Sequence, residues 1–249
     1  MLNLPDTKSS LNKAFTLSEV LIVIVVLGVI AMLTIITLSN SSYRKRIVTA
    51  VKTNFSVLNN AYELIVANKD TPENWVLGEQ LSQKEQNVHL ANLFKPYLQV
   101  GIDCVGQTRD YTKSNCYRKI PEDSDLAYLV LANGFILGFK VLDPGCEDMS
   151  YFVNKRVCGE IDLLMDTRST VYGKNVFQFF VTTSGVVPFG LDGAKQTFKL
   201  GCKPNQDTPY SPPFYKMSTC TAWVLSRENM DYLDCQDKLD WNASSECNK

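Results

Sequence analysis

The longest hydrophobic feature of the chain is a run of 19 residues, Val20 to Leu38, without a charged side chain. Taken from Phe15, the run covers about 36 Å as a helix, against a bilayer core of roughly 30 Å. After Arg44-Lys45-Arg46 the pattern changes. Ile47, Val48, Val51, Phe55, Leu58, Tyr62, Ile65 and Val66 recur at steps of three and four, interspersed with polar residues. That is an amphipathic helix with one buried stripe. Asn68-Lys-Asp-Thr-Pro72 ends it with a proline that cannot easily continue a helix. One helix from about Phe15 to about Asn68 is predicted, apolar all round in its first half and one-sided in its second.

The rest reads as strands and loops after a short helical stretch near Asn87 to Leu98. Leu126 to Ala132 and Phe135 to Leu142 flank Asn133-Gly134, a dipeptide that favours a tight hairpin turn. A third strand is predicted over Val176 to Val181, turning at Thr183-Ser184-Gly185, and a fourth over Thr219 to Leu225. Long loops are expected at 101–120, 143–160 and 201–218. The fold class is therefore α+β: a long N-terminal helix on a small antiparallel sheet, with a loop region rich in cysteine.

Charge narrows the function. Lys and Arg total 25 against 26 Asp and Glu, a balance that points to no nucleic-acid surface. Eight cysteines stand in four successive pairs: Cys104 and Cys116, Cys146 and Cys158, Cys202 and Cys220, Cys235 and Cys247. No C-x-x-C spacing occurs, so disulfides are the better reading, and they place the domain in an oxidising compartment. Eight cysteines allow about 105 connectivities, of which pairing between neighbours is the simplest. The basic residues that follow the apolar run favour the opposite orientation. The cysteines carry more weight.

Glu19 is out of place in an apolar helix, because carboxylates in lipid are costly. The string Lys13-Ala14-Phe15-Thr16-Leu17-Ser18-Glu19 resembles the processing site of type IV pilin and type II secretion pseudopilin precursors. The resemblance implies a leader, Met1 to Ala14, cut after Ala14 by a prepilin peptidase, with methylation of the new Phe15 amine. It further implies that Glu19 pairs with the Phe15 ammonium of a neighbouring subunit, so that neither charge is left alone in an apolar core. Ala14 stands where glycine is usual in that family, and the mid-helix proline of many major pilins is absent. Farther on, Cys158-Gly-Glu-Ile-Asp162, Gly173-Lys-Asn-Val-Phe177, Gly185-Val-Val-Pro188 and Cys220-Thr-Ala-Trp223 resemble a bacterial branch of pilin-like heads. Leu164-Met165 replaces that branch's Asn-Gly turn, and Asn175 stands where aspartate is common.

Other chemistry is thinly supported. His89 is the only histidine and lacks identifiable partners for a triad or metal site, so a structural or surface role is favoured. Asp231, Asp234, Asp237 and Asp240 recur every third residue. Their spacing is not that of an EF-hand, and a solvated acidic face is favoured over calcium. Trp75, Trp223 and Trp241 are dispersed, as core and rim residues are. No phosphate-binding glycine loop occurs, and no cofactor is expected.

The predicted organisation is a leader (1–14), a transmembrane and assembly half-helix (15–38), an amphipathic half-helix (39–70) and a pilin-like head (71–249). The function expected is a non-catalytic pilin or pseudopilin, major or minor, of a type IV pilus or a type II secretion-like filament. Its partners would be prepilin peptidase, other pilin or pseudopilin subunits and an inner-membrane assembly platform. It would sit in the inner membrane with its head outside the cytoplasm, and in a surface or periplasmic filament after assembly. The competing reading is a membrane-anchored binding or enzymatic domain whose Phe-Thr-Leu-x-Glu string is coincidental; the mature N-terminus separates the two.

Overall fold

The computed structural model describes residues 17–75, 77–78, 80–106, 116, 126–165, 171–191, 198–202, 219–242 and 244–247, without the side chains of 31–40 and 200. Helix α1 spans Leu17–Lys69. The chain divides into two units, Met1–Tyr43 and Arg44–Lys249, and α1 contributes to both.

The second unit is built on six strands: β1 (Val100–Cys104), β2 (Ala127–Leu131), β3 (Ile136–Val141), β4 (Val157–Leu164), β5 (Val176–Thr182) and β6 (Gly185–Pro188). They form one antiparallel meander in chain order. Asn133 and Gly134 make the β2–β3 turn. Gly134 takes φ of 87°, a left-handed value that glycine adopts without strain. Thr183 and Ser184 make the β5–β6 turn.

One face of the sheet carries Leu129, Leu137, Phe139, Ile161, Phe177 and Phe179, which share a core with Ile47, Val51, Leu58 and Ile65 of α1. The three- and four-residue steps of the sequence thus correspond to the stripe that is buried. Phe55 stacks on Phe179 at 5.6 Å, and the Tyr62 hydroxyl donates to the Thr182 carbonyl at 3.0 Å. Helix α2 (Gln83–Phe94) closes the same core with Leu90, Ala91 and Phe94. It starts four residues before the expected Asn87, because Ser82 and Glu85 form a reciprocal capping box there.

The opposite face is covered too. Tyr128, Val130, Ile136, Leu164 and Val176 form one cluster on it, and Val157, Phe180 and Val187 pack with Phe152 and Phe189 in another. Strands buried on both faces lose the apolar–polar alternation of a half-exposed sheet. That is why β4 reads poorly as a strand and part of it fell into an expected loop.

The predicted fourth strand is a helix. Residues Cys220–Arg227 form α4, after the short α3 (Phe198–Gly201) and before the short α5 (Tyr232–Cys235). Cys220, Trp223 and Val224 lie at helical spacing and are fully buried. Trp223 stacks on Phe198 at 4.2 Å and leans on Trp241 at 5.1 Å, with the Arg227 guanidinium over both indoles. A short apolar run satisfies either period, and here the packing partners decide. Four disulfides join Cys104–Cys116, Cys146–Cys158, Cys202–Cys220 and Cys235–Cys247.

Candidate assembly site and buried acidic pair

The first unit is the start of α1. Its described side chains from Leu17 to Ile30 are exposed on every side of the helix: Val20 by 47%, Leu21 by 59%, Ile24 by 63%, Leu27 by 59% and Ile30 by 53%. Monomeric soluble proteins rarely leave so large an apolar surface uncovered, so its shape calls for lipid or further copies of the chain. Glu19 lies in the first turn, where the exposed amide groups of a helix favour a negative charge. Ala14 and Phe15, the expected cut site, lie outside the described residues. Among those residues no helix is long and apolar enough to cross a membrane. The described side chains of the apolar run stop at Ile30, and the expected span continues into 31–38.

The second constellation lies on the outer face of the sheet. β4 brings in Glu160 and Asp162, β3 brings Lys140 and β5 brings Gln178. In the register Glu160 sits opposite Lys140 and Phe180, and Asp162 opposite Gly138 and Gln178. Glu160, Asp162 and Gln178 are all buried. Gln178 Nε2 donates to Glu160 Oε2 at 2.8 Å, the Tyr172 hydroxyl donates to Asp162 Oδ2 at 2.6 Å, and Lys140 Nζ is 3.9 Å from Glu160 Oε1. Asp162 Oδ1 and Gln178 Oε1 have no hydrogen-bond partner.

Burial is the main force on both acids. It raises Glu160 to about 8, helped by the neighbouring Asp162 charge and opposed by Lys140. It raises Asp162 to about 6, against the Tyr172 hydrogen bond and the Lys140 charge. Directly opposed residues on antiparallel strands stand about 5 Å apart at Cβ. Burial thus favours the protonated form of both acids, Glu160 more than Asp162.

The sequence points to Glu160 and Asp162 only through the resemblance of Cys158–Asp162 to an acidic strand, and not to Lys140, Tyr172 and Gln178. The available signal was a polar residue at alternate positions inside otherwise apolar strands, Glu160 and Asp162 in one and Gln178 in the next.

The remaining candidates are scattered. His89 is exposed on α2. The four aspartates do not converge. Arg44 grips Asp234 through both guanidinium nitrogens at 2.5 and 2.8 Å, Lys199 holds Asp240 at 3.0 Å, and Asp231 accepts from the Cys247 amide at 3.0 Å. Among the described residues no group of three or more His, Cys, Asp or Glu side chains could hold a metal ion. Trp75 is a core residue.

Residues 9–35 match the model of the prokaryotic N-terminal methylation motif. The chain carries the prepilin signature. The match covers the expected cut site at Ala14 and Phe15, Glu19 and most of the exposed apolar helix. No curated protein and no solved structure matches the chain.

Proposed function

We propose that this prepilin-type chain is a non-catalytic structural subunit of a type IV pilus or type II secretion-like filament. The observation that carries the proposal is the coincidence of the methylation motif at 9–35 with an α1 segment whose apolar side chains are exposed all round. Prepilin peptidase cuts after Ala14, and the Phe15 amine is methylated. Before assembly, the run from Phe15 to Leu38 holds the subunit in the inner membrane, with the disulfide-bonded head on the oxidising side. In the filament the same run packs against copies of itself or against related subunits. Glu19 then neutralises the Phe15 ammonium of a neighbour, because a lone charge in that apolar core would be strongly penalised. An assembly platform in the inner membrane would extract the subunit from lipid.

Glu19→Ala provides the test. The variant is expected to be expressed, inserted and cleaved normally, yet to be depleted from the sheared filament fraction. Unchanged incorporation at unchanged expression would refute the pairing.

A further inference from the structure

Arg44, Lys45, Arg46 and Lys52 place four cations within nine residues of α1, and the fold treats them unequally. Arg44 is clamped by Asp234, and Lys52 pairs with Glu228 at 2.5 Å. Among the described residues no carboxylate pairs with Lys45 or Arg46. Both are exposed, and both line an open groove of about 430 Å³. Thr49, Ala50, Thr53 and Asn54 continue that lining along the helix, and Asn133 and Phe135 of the β2–β3 turn face them.

The groove combines an ammonium, a guanidinium and two hydroxyl rungs with a small apolar floor at Ala50 and Phe135. It has no acid in its lining. Such a donor set suits a phosphate oxygen, which a guanidinium can take with two parallel hydrogen bonds and an ammonium as a point charge. Lys45 and Arg46 follow the apolar run after only six intervening polar residues, 39–44. Basic residues directly flanking a membrane segment are drawn to anionic headgroups. We infer that this groove binds the phosphate headgroup of an acidic phospholipid while the subunit waits in the membrane. The inference rests on the proposed insertion of the apolar run.

The test uses the full chain, first in carbonate-washed vesicles of phosphatidylcholine. Association there reports insertion alone, and its failure would strike the parent reading, leaving no membrane-held state for the groove to serve. Native mass spectrometry of the detergent-solubilised chain then compares phosphatidylglycerol with phosphatidylcholine. The expected result is a preference of about tenfold for phosphatidylglycerol, equivalent to about 1.4 kcal/mol. Lys45→Ser with Arg46→Ser should abolish that preference, and the half-buried control Lys155→Ser, away from the groove, should keep it. Equal adducts of the two lipids, or a preference that survives the double variant, would overturn the site. Full competition by an equal concentration of inorganic phosphate would overturn the assignment to lipid.

Discussion

At the scale of single residues, the most informative feature is a carboxyl group that the fold holds at the wrong pKa. Glu160 and Asp162 have folded values of about 8 and about 6, above their ordinary 4.5 and 3.8. The folded state therefore binds protons more tightly than the unfolded one. The stability this contributes is fully present below about pH 4 and is lost as pH rises through about 6 and then 8. Asp162→Asn keeps an acceptor for Tyr172 and removes the buried ionisable group. Its unfolding midpoint is expected to exceed the parent's at pH 8 and to match it near pH 4, by urea denaturation across that range. A parent protein that gains stability steadily from pH 4 to pH 8 would contradict the buried-proton account. The two acids were legible as a pattern, but their burial was not, since the spacing of Glu160 and Asp162 looks the same on a solvated strand. Glu19 stood out in the chain, because a single acid beside an uninterrupted apolar run has few structural explanations.

At the scale of elements, the packing between the sheet and α4 turns on one close approach. Gly190, just past β6, has φ of 98°, and a Cβ there would lie 2.1 Å from the Thr219 carbonyl oxygen. The same junction is tied by the Ala222 amide to the Phe189 carbonyl at 3.0 Å and by the Gln178 amide to Thr221 Oγ1 at 3.0 Å. Gly190→Ala should force α4 off the β5–β6 edge and cost on the order of 3 kcal/mol, from backbone strain and overpacking together. Denaturant titration checks it; a loss near zero would mean that the junction gives way without cost. Long elements could be read from the chain for a physical reason. Eight apolar residues of α1 sample the helical period several times over, and Asn133-Gly134 specifies its turn locally. Thr219 to Leu225 samples too little of either period. Its helical state depends on Phe198 and Trp241, which are remote in sequence and could not be placed beforehand, whereas the Cys202–Cys220 pairing was legible but is silent on the period.

At the scale of the whole molecule, the proposed function puts the disulfides and the cleavage site on opposite sides of a membrane. The bridge Cys202–Cys220 closes a separation of 18 residues and anchors the start of α4 beside Phe198. In the chain-entropy model such a loop contributes about 3 kcal/mol. Replacing both cysteines by serine should lower the melting temperature of the head and leave leader cleavage unchanged. Slower cleavage in that variant would show that the head and the processing site are coupled. Whether this chain is a processed prepilin is read from the mass of its mature N-terminal peptide, isolated from the native host. The peptide is expected to begin at Phe15 and to carry one methyl group on its amine, and to occur only when prepilin peptidase is active. A mature protein that keeps Met1 to Ala14 in a host with active peptidase would contradict it.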